Sequence, residues 1–202
     1  RNGTLPAFSV CIYRAVSYFF RLIRIPISLW ENFKLYLIGM SYNLFLPGGI
    51  GGDGYKYVVL KREYAAESKP TFQAILLERL CGLASIGILL VIVVSIWGIT
   101  QVKGWPYSLL GIVGYFVAYL ACKQFFPTFL KGFKAAMGLS FVVQAIQLAA
   151  ILFISYRLGV NQPIQIMGVF LLSTLSTAVP VFLGGVGARE LVFASLARFL
   201  EQ

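Results

Sequence analysis

Apolar residues fill four stretches of the chain almost without interruption, at positions 74–99, 105–126, 138–156 and 164–183. Each has about the 20 residues that a helix needs to cross a hydrocarbon layer of ~30 Å. The pattern therefore predicts four spanning helices. Short polar or aromatic connectors separate them at 100–104, 127–134 and 157–163, lengths that join antiparallel neighbours. Trp97, Trp105, Tyr107 and Tyr156 sit at the ends of the stretches, where an interfacial aromatic belt is expected.

The first third of the chain is patterned differently. Arg14, Arg21 and Arg24 fall on one side of a helix whose other side carries Ile12, Val16, Phe19 and Ile23. Two readings stay open for this stripe: a helix lying on anionic headgroups, or the polar end of a spanning helix. An apolar segment follows at 35–46, too short to cross and closed by Pro47-Gly48-Gly49-Ile50-Gly51-Gly52-Asp53-Gly54. Apolar runs of about 10 to 14 residues more often turn back than span.

Basic residues test that reading. If the segment turns back, Arg1, Arg14, Arg21, Arg24, Lys34, Lys56, Lys61, Arg62, Lys69, Lys123, Lys131 and Lys134 share one face, against Lys103 and Arg157 on the other. If it spans, the two faces carry equal numbers and the orientation signal vanishes. The first arrangement is predicted, with the basic face cytoplasmic.

Composition agrees with a membrane chain: 59% of the 202 residues are hydrophobic and 12% charged, where soluble domains carry about a quarter charged residues. Histidine is absent, which excludes Ser-His-Asp and Cys-His catalysis and His-containing zinc sites. Cys11, Cys81 and Cys122 are widely spaced in apolar surroundings and read as reduced packing residues. No metal site and no cofactor are expected. The phosphate-loop motif is missing, so the chain does not itself consume ATP. Although the net charge is +10, the basic residues lie at the ends of apolar runs, which points to a cytoplasmic-leaflet rim and away from nucleic acid. The chain opens on Arg1 with no cleavable signal, and earlier residues are expected to precede it.

Two glycine clusters resemble one another: Gly48-Gly49-Ile50-Gly51-Gly52-Asp53 after Pro47, and Gly184-Gly185-Val186-Gly187-Ala188-Arg189 after Pro180. Three spans lie between them, so the second segment enters from the opposite face, as in an inverted repeat. Broken helices at membrane depth need protein or a wet cavity to satisfy the freed backbone groups. The alternative is close helix packing at glycine. A new helix is expected near Gly54, where free N–H groups and Lys56 offer a seat for an anion. Asp53 either caps that helix or meets a ligand. Glu78, Arg79, Arg189 and Glu190 are costly charges in apolar surroundings and should find partners, although Glu78 and Arg79 could instead snorkel. Gln144 and Gln147, one turn apart, are expected to bond between helices.

The order of Asn43, Pro47 to Asp53, Lys56, Glu78-Arg79-Leu80-Cys81-Gly82, Pro180 and Gly184 to Glu190 resembles the lysylphosphatidylglycerol synthase transmembrane family, the flippase-like membrane part of the multiple peptide resistance factor. The likeness runs over residues 27–200. It implies a prokaryotic inner-membrane, multi-pass protein that moves a polar, aminoacylated or otherwise modified phospholipid between leaflets. Family members often carry Arg where this chain has Lys56.

Together these readings predict an all-α polytopic membrane bundle with two Pro/Gly-broken re-entrant segments in inverted-repeat arrangement. It is one domain over 1–202, with 1–34 an interfacial or truncated N-terminal part and 35–202 the core. The candidate lipid-binding residues are Asn43, Gly51, Gly52, Asp53, Lys56, Glu78, Arg79, Gly184, Gly185, Gly187, Arg189 and Glu190. The expected partner is an anionic or aminoacylated phospholipid, with a second copy or a synthase subunit as candidate protein partners. The reading leans away from an enzyme. A transferase on a lipid-linked sugar or aminoacyl lipid, or a structural partner subunit, is the alternative.

Overall fold

The computed structural model describes residues 19–20, 22–45, 50–97, 105–176, 190, 192 and 194–195. Six α-helices are defined there: α1 (Leu29–Phe45), α2 (Gly51–Glu63), α3 (Ser68–Trp97), α4 (Trp105–Phe125), α5 (Leu130–Arg157) and α6 (Pro163–Ser176). The described residues contain no strand and are all-α.

The helices begin where local chemistry satisfies their first N–H groups rather than where the apolar runs begin. α1 starts six residues before the expected segment at 35, because Ser28 and Glu31 form a capping box. The Ser28 N–H donates to Glu31 Oε2 at 2.9 Å, and the Glu31 N–H donates to Ser28 Oγ at 3.2 Å. Hydrogen bonds from the Ser28 side chain and backbone hold the Glu31 carboxyl below the usual carboxylate range. α2 starts at Gly51, ahead of the expected Gly54, whose own N–H already donates to the Ile50 carbonyl at 2.9 Å.

The expected connector at 127–134 is mostly helix. Pro127–Phe129 makes one 3₁₀ turn and α5 follows directly. The reason is burial: Phe129 and Phe133 lie one helical turn apart and both enter the core, which puts Lys131 and Lys134 at the surface. The connector after α5 is as expected, closed by Gly159 at φ 67° with Val160 N–H on the Ser155 carbonyl (3.0 Å) and Gly159 N–H on that of Tyr156 (3.2 Å). Such a left-handed residue ends a helix cheaply when it is glycine. Arg24 and Ala65 adopt the same region, at φ 59° and 47°.

α3 is the central post, contacted by α2, α4, α5 and α6. One cluster, around Leu60, Ile75, Leu77, Cys81, Phe129 and Phe133, joins α2 and α5 to the first half of α3; a second, of Ile86, Leu89, Val93, Leu148 and Leu171, joins α3, α5 and α6. Cys81 and Cys122 are buried packing residues, as expected. Phe19 and Phe20 are buried in the first cluster, Phe19 edge-on to Phe129 with centroids 5.8 Å apart. The apolar side of the N-terminal stripe thus meets protein at its described end.

Two helices, over Ser68–Ile96 and Pro127–Arg157, are long and apolar enough to cross a membrane; the apolar parts Leu109–Phe125 and Pro163–Ser176 are shorter. α4 leaves Leu110, Ile112, Val113, Phe116, Val117 and Leu120 exposed. A water-facing helix would not carry so continuous an apolar surface.

Candidate functional site

α1 and α2 form an antiparallel pair whose crossing depends on two glycines. A Cβ on Gly52 would fall against the Gly39 carbonyl, 2.8 Å from its carbon and 2.9 Å from Asn43 Nδ2. That close approach lets the last turn of α1 serve the first turn of α2: the Gly52 N–H donates to Asn43 Oδ1 at 2.7 Å. Ile50, the residue before α2, provides no side-chain cap. Asn43 therefore satisfies an N–H that helix geometry leaves open. Further along the pair, Tyr42 stacks on Tyr55 with centroids 4.9 Å apart.

Gly52, Lys56 and Leu60 recur every four residues and form the buried face of α2. Lys56, 5% exposed, lies on that face. Its Nζ is 3.2 Å and 3.4 Å from the two carboxylate oxygens of Glu78 on α3 and 5.6 Å from the centroid of the Tyr36 ring on α1, a cation–π distance. Asp53, one turn before Lys56, accepts from Arg79 NH1 at 2.9 Å. Two ion pairs thus join α2 to α3, with donor and acceptor reversed between them: Lys56 to Glu78 and Arg79 to Asp53. The four formal charges cancel.

This geometry selects among the alternatives left open by the sequence. The Asp53 carboxylate is engaged by Arg79, and the α2 cap belongs to Asn43. Glu78 and Arg79 face α2 as ion pairs and do not simply snorkel. Of the candidate residues, the structure brings together Asn43, Gly52, Asp53, Lys56, Glu78 and Arg79, with Gly51 opening α2. Gly184, Gly185, Gly187 and Arg189 lie outside the described residues, as do Pro47 to Gly49, Pro180, Cys11, Arg14, Arg21 and residues 98–104. Glu190 is helical and exposed.

Sequence reasoning passed over Gly39, Tyr36 and the capping box. Ser28 and Glu31 stand at the box spacing and were legible; Gly39 sits four residues before Asn43, a small-residue spacing that marks close helix approach. Gln144 Oε1, expected to bond between helices, is buried with no hydrogen-bond partner among the described residues.

Comparison with known proteins adds one match. The family model described as the lysylphosphatidylglycerol synthase TM region matches residues 4–201. No curated protein and no solved structure matches the chain. The match covers nearly the whole sequence, including the hairpin and both ion pairs, and the chain is a membrane protein of the lysylphosphatidylglycerol synthase TM region family.

Proposed function

We propose that the chain is a multi-pass protein of the prokaryotic inner membrane that binds a polar, aminoacylated or otherwise modified phospholipid and carries its headgroup between leaflets. The observation that supports this most is the crossed pair of ion pairs between α2 and α3. Charges in apolar surroundings cost several kcal/mol each unless paired, so a neutral set of four is the form in which a protein can keep them there.

A headgroup with a phosphate and an ammonium can exchange partners with such a set. The phosphate takes Lys56 and Arg79 while the ammonium takes Glu78 and Asp53, so no charge is left alone during the exchange. On this reading α1 and α2 are a hairpin that enters the membrane and returns, and the glycine cluster at 184–187, with Arg189 and Glu190, approaches it from the opposite face. Acyl chains remain in hydrocarbon while the polar part moves along the protein.

A second reading has its own support, because both cations already hold carboxylate partners: the ion pairs staple the hairpin to α3, and the chain serves as a structural partner of another subunit. Transport separates the two. In liposomes containing aminoacyl phosphatidylglycerol, the lipid amine exposed to an impermeant amine reagent is followed over time. Lys56→Ala and Glu190→Gln are expected to slow headgroup crossing by about tenfold or more, with helicity and elution volume unchanged. Wild-type crossing in both variants would leave the structural reading ahead.

A further inference from the structure

α4 and α5 close on each other where Tyr115 and Tyr119 meet Phe133, with centroids 6.1 Å and 6.0 Å apart. Beyond that contact a cavity of about 550 Å³ separates the two helices. Ile88 and Ile92 of α3 form its floor, Gly111 and Ile112 one wall, and Met137, Gly138 and Phe141 the other. Lys134 lines one end. Along α5 the cleft runs from Lys134 to Phe141, about 10 Å at the helical rise.

Two features of the cleft identify its occupant. Among the described residues, a Cβ placed on Gly138 would meet nothing within 4 Å, so the glycine leaves space there that none of their side chains fills. At the Lys134 end Lys123, Lys131 and Lys134 are exposed, and neither α4 nor α5, which form the two walls of the cleft, carries an acid. An apolar slot with a cation at one end matches an apolar chain with an anion at one end.

We propose that this cleft seats one acyl chain of an anionic phospholipid whose phosphate is met by Lys134. The seat is distinct from the ion pairs, since Ile88 is about 15 Å along α3 from Glu78, and it does not depend on the transport reading. Its volume lies within the range of about 300–1,000 Å³ typical of ligand pockets. The lysine stem covers apolar surface while its ammonium reaches the headgroup level.

The test uses the full chain in lipid nanodiscs with phosphatidylglycerol or phosphatidylcholine carrying a photoreactive group in the acyl chain, followed by peptide mapping. Adducts are expected on residues 111–115 and 137–141, with phosphatidylglycerol preferred. Gly138→Leu and, independently, Ile112→Phe are each expected to lower those adducts by about fivefold, and Lys134→Gln to abolish the headgroup preference. Adducts spread evenly over the exposed faces of α4, equal labelling by the two lipids, or insensitivity to both filling variants overturns the proposal. So does a photoreactive residue at position 112 that captures another segment of the same chain instead of lipid. Headgroup crossing measured in liposomes is expected to stay within about twofold of wild type in the filling variants, which keeps failure here separate from failure of the transport reading.

Discussion

Gly52 has no room for a side chain, and the obstacle is backbone. A methyl group there would press on the Gly39 carbonyl, which cannot rotate away as a side-chain tip can. Gly52→Ala is therefore expected to push α1 from α2, weaken the Asn43 bond and destabilise the protein by about 1–3 kcal/mol. Gly54 is the control, because a Cβ there meets nothing within 4 Å among the described residues. Thermal unfolding in detergent should separate the two alanine variants, and identical midpoints would contradict the close-approach account. At this scale the glycine cluster was legible as a break in the sequence, and so was the need of Glu78 for a partner. Which glycine bears the contact was not legible, because Gly39 belongs to a different helix and nothing local distinguishes it from an ordinary small residue.

At the scale of elements, the apolar runs located the long helices and missed their ends. α3 begins at Ser68, six residues before the expected stretch, and α5 at Leu130, eight residues before it. In α5 the extension is explained by Phe129 and Phe133 entering the core, a tertiary effect invisible to a hydropathy window. The antiparallel pair α1 and α2 bears on topology most directly. Its contacts run in order from Tyr42 and Tyr55 near the turn to Tyr36 and Lys56 further along. A pair folded back this way should place its two outer ends on one side of the membrane. Lys34 and Glu63 are both exposed near those ends. In a background with Cys11, Cys81 and Cys122 replaced, Lys34→Cys and Glu63→Cys are expected to react with an impermeant thiol reagent from the same face. Reaction from opposite faces would mean that the segment spans.

Across the described residues, charge is arranged in two ways: four groups are paired between α2 and α3, and Lys131 and Lys134 are exposed near the start of α5, a helix that carries no acid. The second glycine cluster, at residues 184–187, lies outside the described residues, and its likeness to the first is one of sequence. The paired set permits a decisive exchange. Removing one member of a buried ion pair costs about 3–5 kcal/mol, because its partner is stranded. Reversing both members restores the attraction with the polarity turned round. Lys56→Glu and Glu78→Lys are each expected to lose stability, and the double reversal to regain most of it. A staple works in either polarity, since only the attraction between α2 and α3 matters to it. A headgroup site does not: with the swap, the lysine moves to α3 beside Arg79 and the carboxylate to α2 beside Asp53, so cations and anions segregate by helix. A phosphate and an ammonium at fixed spacing then meet the charges in the wrong order. The double variant is expected to fold with near wild-type stability while headgroup crossing in liposomes stays at the level of Lys56→Ala. Recovery of both stability and crossing would assign the ion pairs to the staple and remove them from the lipid path.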